Sequence, residues 1–167
     1  MQFNRNVART LHDEHLATLG MLEKLEGLLR RHPRDQAPDV NGAEVKNFLR
    51  DFVSTIRQEM APHFRFEEDE LFPLLAARGE AGIGALLSEE HATILPLGER
   101  MATIAGTARG SRLQTAAWNE FHQLGNELIE RLTSHVQKEE MALVPMLESL
   151  LEDQDDSRLV EVYAMNR

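Results

Sequence analysis

An all-α fold, an up-down-up-down antiparallel four-helix bundle with a short C-terminal helix or tail, is predicted by three features of the 167-residue chain. Glycine and proline gather at only a few places, HPRDQAPDVNG (32–42), RGEAGIG (78–84) and ARGSR (108–112). Between them, apolar residues recur every three or four positions, the spacing of one helix face. β-branched residues form few clusters, which disfavours strands. Long helices joined by short loops must lie antiparallel to their neighbours.

The first helix is predicted to start after Asn4 as N-cap and to end near Arg31, with Leu11, His15, Thr18, Leu22, Leu25 and Leu29 on one stripe. The second, from about Ala43 to Arg78, aligns Val45, Leu49, Phe52, Ile56, Met60, His63, Glu67, Leu71 and Leu74. The third opens with a short turn around Ile83 to Leu87, recaps at Ser88 and continues to about Arg109, with His91, Ile94, Gly98, Met101 and Ala105 in line. The fourth, from about Leu113 to Leu151, aligns Ala117, Phe121, Leu124, Leu128, Leu132, His135, Glu139, Leu143 and Met146. The tail SRLVEVYAMNR adds a short helix. Pro62, Pro96 and Pro145 fall inside helices, where each removes a hydrogen bond and should kink or loosen the turn.

One domain, residues 1–167, accommodates this chain, and it is long enough to bury a core without disulfide or zinc staples. A net charge of -10, with Lys and Arg scattered, repels phosphate backbones, so no nucleic-acid partner is expected. No stretch approaches the roughly 20 apolar residues of a membrane span, and the charged N-terminus is unlike a secretory signal. A soluble cytoplasmic protein without a membrane partner is the expectation. The absence of cysteine removes disulfides, iron–sulfur clusters, thiolate zinc sites and a cysteine nucleophile together.

Four of the inner positions are histidines, and two of these are followed one turn later by glutamate. HFRFEEDELFPLL (63–75) and HVQKEEMALVPML (135–147) share the skeleton His-x-x-x-Glu-Glu-x-x-Leu-x-Pro-x-Leu. Glu14-His15 precedes the first by the same kind of interval as Glu90-His91 precedes the second. The two halves of the chain therefore each supply one lone histidine and one His/Glu pair. Residues four apart share a helix face, so four imidazoles and two carboxylates should converge at one level of the core. Burying ionised carboxylates without partners costs several kcal/mol each, roughly, and a bound cation offsets that cost.

His15, His63, Glu67, His91, His135 and Glu139 are thus the predicted metal ligands. Carboxylates of Glu67 and Glu139 bridging two ions, with one bond from each histidine, would leave about two coordination positions for water or a small ligand. An all-nitrogen and oxygen site of this kind suits iron or manganese better than structural zinc. A metal-free buried polar network is the bland alternative.

His12, one turn before His15, is a tentative additional ligand or a supporting group, with a surface role as the competing reading. His32 sits in a loop, and His122 is nearly 20 Å along the axis from His135, out of reach. Glu68 and Glu140 turn roughly 100° from the ligands and read as solvated or paired charges. Glu59, Glu14 and Glu90 are weaker candidates for supporting the ligands. Met60, Met101, Met146, Phe66 and Phe72 read as core packing that would also restrict water.

From LHDEH through EEHATIL to HVQKEEMALVPML, nearly the whole chain resembles the hemerythrin-like family, also called the HHE cation-binding domain. The resemblance implies a four-helix bundle holding a non-haem diiron centre, two iron ions with an oxo or hydroxo bridge, on the same six residues. Manganese or zinc would be substitutes. Ferritin-like bundles instead use Glu-x-x-His pairs with further glutamates, the reverse order and a shorter spacing. Oxygen-carrying members of the resembled family have a second histidine one turn after the first on the third helix, where this chain has Leu95. That departure puts reversible oxygen carriage in doubt. Relatives with the four-His, two-Glu pattern are associated with nitric oxide response, iron–sulfur repair, peroxide chemistry or iron sensing.

The function expected is a diiron protein that binds or reacts with O2, NO or peroxide, a small diatomic or peroxide ligand being its partner. The alternative is a non-catalytic iron-binding or iron-sensing module acting through a protein partner. No catalytic acid and base are assigned outside the metal ligands, no further cofactor is expected, and no reductant or protein partner is identified.

Overall fold

The computed structural model describes residues 3–107 and 113–165. Its helices are α1 (Asn6–Arg31), α2 (residues 43–77), α3 (Ala81–Ala105), α4 (residues 115–150) and α5 (Asp153–Met165). Helix α1 packs on α4, α4 on α3 and α3 on α2, which gives the predicted all-α bundle, while α5 returns against α1. No helix among the described residues is long and apolar enough to cross a membrane.

Asn4 does not cap α1. Arg5 occupies the N-cap and makes no side-chain capping bond. The free N–H groups are instead satisfied from across the fold. Those of Asn6 and Val7 each donate to the Asp156 carboxylate of α5 at 2.9 Å, and those of Asn4 and Arg5 donate to Glu148 of α4. A helix start can be capped by any acceptor brought to it, so the local sequence alone misplaces the boundary.

The predicted recap at Ser88 is also absent. Helix α3 runs unbroken from Ala81 to Ala105, with Gly82 and Gly84 inside it. A Cβ on Gly84 would lie 2.8 Å from Phe72 Cβ, so this glycine permits close packing of α3 on α2 and does not mark a loop. The real break is Gly79, whose φ of 93° is left-handed. Glu80 N–H donates to Leu75 O there, closing α2 with a glycine-dependent cap. Helix α3 ends at Ala105, and the predicted end at Arg109 lies outside the described residues, as does the rest of the predicted 108–112 break.

Both long helices that carry a His/Glu pair contain wide π turns: Thr55–Met60 and Glu67–Leu71 in α2, and Glu139–Leu143 in α4. Each is followed within two residues by proline, at Pro62, Pro73 and Pro145. Proline lacks an N–H and crowds the carbonyl of the preceding turn, and a wider turn relieves both problems. The added residue also moves the buried face. Leu75 and Leu147 are fully buried, whereas Leu74 and Met146, predicted for the inner stripe, are only partly so. At Pro96, whose side is exposed, α3 continues as an α-helix.

The buried apolar residues form two clusters. One contains Leu22, Phe52, Ile56, Trp118, Phe121 and Leu132, and the other contains Leu11, Phe66, Leu71, Leu87, Leu143 and Leu147. The histidines and glutamates of the predicted site belong to neither cluster, yet they are buried. They occupy the level between Met60 and Leu71 on α2 and between Leu132 and Leu143 on α4.

Candidate metal centre

Each bundle helix brings one histidine to this level: α1 supplies His15, α2 His63, α3 His91 and α4 His135. Glu67 and Glu139 add a carboxylate each from α2 and α4, and both are fully buried. His15 Nε2 is 3.0 Å from Glu139 Oε2, while His135 Nε2 is 2.9 Å from Glu139 Oε1. His63 Nε2 is 3.4 Å from Glu67 Oε1, while His91 Nε2 is 3.3 Å from Glu67 Oε2. Each carboxylate oxygen thus lies nearest a different histidine, with His91 Nε2 also 3.9 Å from Glu139 Oε1.

Two groups of donor atoms, each lying within 4.8 Å of one another, could hold metal ions: His15, His63, Glu67 and Glu139, and His91, His135, Glu67 and Glu139. The groups share both glutamates. The four carboxylate oxygens and His15 Nε2 are buried and have no hydrogen-bond partner of acceptable geometry. His91 Nε2 and His135 Nε2 meet at 3.1 Å. Buried oxygens without donors, crowded by converging ring nitrogens, are unfavourable as a hydrogen-bond network and favourable as ligands of shared cations.

The far nitrogen of every ring is anchored by a carboxylate, and the anchors run around the bundle. Glu14 of α1 accepts from His63 Nδ1 on α2 at 2.8 Å, and Glu68 of α2 accepts from His91 Nδ1 on α3 at 2.8 Å. Glu90 of α3 accepts from His135 Nδ1 on α4 at 2.9 Å, and Glu140 of α4 accepts from His15 Nδ1 on α1 at 2.5 Å. Each helix therefore fixes the histidine of the next one. With the proton held on Nδ1, Nε2 presents its lone pair to the centre, and the carboxylate makes the ring a stronger donor.

Glu14 and Glu90, which the sequence offered as weaker supporting candidates, each hold one of the site histidines. Glu68 and Glu140 are paired charges too, but their partners are the site histidines, so their role is larger than expected. The 100° turn that separates them from Glu67 and Glu139 points each toward the adjacent helix, roughly a quarter-turn around a four-helix bundle. The repeated Glu-Glu and Glu-His dipeptides carried that signal.

His12 stands behind this arrangement. Its Nδ1 is 2.8 Å from Glu140 Oε2, the carboxylate that also holds His15, and it is absent from both donor groups. Its supporting role, not the additional-ligand role, is the one the geometry favours. His122 donates from Nε2 to Leu29 O, far from the site, and His32 lies edge-on to Trp118. Leu95, in place of a fifth histidine, packs against the apolar cluster of the opposite end.

The electrostatics follow from this crowding. Burial opposes protonation of His91, but Glu139, Glu67 and Glu68 outweigh it and carry the imidazole up to about 9. Burial likewise opposes His63, yet Glu67 and Glu14 hold it well above the ordinary imidazole value, and Glu139 raises His15 against the same penalty. Burial would raise Glu139, but the imidazoles of His135, His15 and His91 crowded around it hold it well below the usual carboxylate range. Without a cation, protons on His15, His63 and His91 offset the buried Glu139 carboxylate.

Phe64 stacks on His91 with centroids 3.7 Å apart and planes 10° from parallel, and Phe72 lies 5.9 Å from the same ring. On the other side, a cavity of about 180 Å³ reaches His15, His63, His135 and Glu139 past Glu14 and Phe64. A larger groove of about 670 Å³ between α1 and the start of α2 includes none of the six converging donors.

The description "Hemerythrin HHE cation binding domain" belongs to the family model that matches residues 6–147 of the chain, and it matches again over 82–164. The second match begins on α3, the helix that the internal repeat makes equivalent to α1. No curated protein and no solved structure matches the chain.

Proposed function

We propose, because the chain belongs to the hemerythrin HHE cation-binding domain family, that it is a non-haem diiron protein binding or reacting with O2, NO or peroxide. His15 and His63 would hold one iron, His91 and His135 the other, and Glu67 and Glu139 would span the pair. The observation that carries this reading is the sharing of both buried carboxylates by two four-donor groups. One closed set of four donors would fit a structural ion equally well, whereas two sets with common carboxylates fit a metal pair.

When bound, an iron pair supplies redox electrons and open coordination positions to a small oxidant. The chain supplies the rest. The four carboxylate anchors keep the Nε2 atoms aimed inward, and the phenylalanines packed on the His91 ring fix its plane. The cavity at His15 and His63 has room for a diatomic molecule or peroxide, and Glu14 lines its wall. Nitrogen and oxygen donors without thiolate also admit manganese or zinc.

Anaerobic reconstitution with iron(II), followed optically through O2 addition and degassing, tests this function. A visible band that disappears on degassing supports ligand binding, and a permanent diferric spectrum supports redox chemistry. Iron binding with no optical response to O2, NO or peroxide would favour a non-catalytic iron-sensing module that acts through a protein partner.

A further inference from the structure

The fifth helix lies outside the four-helix frame, yet it touches the metal centre. Tyr163, the sole tyrosine of the chain, is buried near the end of α5 with its ring 4.4 Å from Phe66. Its hydroxyl donates to Glu14 Oε2 at 2.5 Å, the same oxygen that accepts the Nδ1 proton of His63 at 2.8 Å. A continuous path therefore runs from α5 through one carboxylate to a predicted metal ligand.

We propose that Tyr163 is a positioning residue of the metal centre, holding Glu14 against His63 so that docking of α5 and metal occupancy of the His15/His63 half favour each other. The inference rests on the diiron reading above and adds a control element to it.

Two comparisons support this assignment. The other doubly engaged anchors receive their second donor on the opposite oxygen from within the bundle: Glu90 from Lys138 of α4, and Glu140 from His12 of α1. Glu14 is held from α5, and on the very oxygen that binds the histidine. Among the described residues, polar ties of α5 also lie toward its start: Asp153 with Arg5, Asp155 with Arg78, Asp156 with the α1 N-terminus, and Arg158 with Glu70. In its last turn, the phenol ties the helix to Glu14 of the site. Coupling of this kind is reciprocal, since whatever α5 docking adds to metal affinity, metal must add to α5 docking.

The test needs no variant at its first step. Hydrogen exchange of wild-type amides in residues 159–165 should slow when iron(II) is added anaerobically, and unchanged exchange would overturn the coupling. Tyr163→Phe keeps the ring against Phe66 and removes only the hydroxyl. It should weaken one of two iron(II) ions about tenfold, the lower end of what loss of a ligand-supporting hydrogen bond does, and leave the other unchanged. The loss should persist in a His91→Ala background and vanish in a His15→Ala background.

Equal weakening of both ions by Tyr163→Phe, or no weakening of either, would contradict the proposal. If the wild type binds no iron, the diiron reading falls and takes this inference with it. If it binds two and Tyr163→Phe binds both as tightly, this inference alone fails.

Discussion

Removing single anchors from the ring of carboxylates should weaken iron binding unequally, in an order set by burial. Glu140 lies 2.5 Å from His15 Nδ1 with its side chain 25% exposed, and Glu68 lies 2.8 Å from His91 Nδ1 with its side chain 42% exposed. Loss of such an outer partner costs about 10- to 100-fold in metal affinity, or about 1.4 to 2.7 kcal/mol. The less solvent-screened and closer Glu140 belongs at the upper end, the more so because it also holds His12. Glu68, screened by water, belongs at the lower end. Glu140→Ala and Glu68→Ala would be compared by anaerobic iron(II) titration against a chromophoric chelator, with circular dichroism of the metal-free proteins as the folding control. Affinities of both variants within twofold of wild type, or a larger loss in Glu68→Ala, would refute the view that these carboxylates tune the ligands.

Protons and metal compete for the same ring nitrogens. His91 is raised from 6.5 to about 9, so iron(II) affinity should climb as pH rises across that interval, by up to tenfold per unit for each proton displaced, measurable by titration at several pH values. The metal-free protein should show the opposite trend, because the stability contributed by protonated His91 is complete below 6.5 and lost as pH passes about 9. Glu139 acts at the acid end, where its contribution, present above its ordinary value of 4.5, is lost as pH falls through its depressed one. Gly84→Ala should lower unfolding free energy by about 1 to 3 kcal/mol in denaturant titration, since the new methyl would meet the rigid Phe72 Cβ at 2.8 Å. Asp156→Ala should cost about 1 to 2 kcal/mol in the same assay by uncapping α1, and an unchanged midpoint would contradict the role given to that carboxylate.

The centre was legible in the sequence because its residues violate the helix pattern they sit in. His63 and Glu67 stand where leucines belong, and the His135/Glu139 pair repeats the violation. Periodicity also located the four helices, since apolar spacing survives proline and glycine interruptions. Less visible were effects that depend on neighbours. Asp156 caps a helix almost the whole chain away, and nothing near Asn4 reveals it. Gly84 resembles a helix breaker until Phe72 is seen against it. The shift of burial from Leu74 to Leu75 and from Met146 to Leu147 follows from π turns, which a fixed 3.6-residue period cannot register. Glu68 and Glu140 pointed away from the ligand face of their own helices, and only the bundle geometry turns them onto histidines of the next.

The most direct test of the whole account is the number of iron ions held per chain, by anaerobic calorimetry and by Mössbauer spectroscopy of the iron-57 form. Two ions per chain, in sites magnetically coupled after oxidation, with one of the two lost in His63→Ala and one in His135→Ala, is the result expected from two donor groups joined by Glu67 and Glu139. A single uncoupled ion, or a metal content unaffected by either substitution, would contradict it.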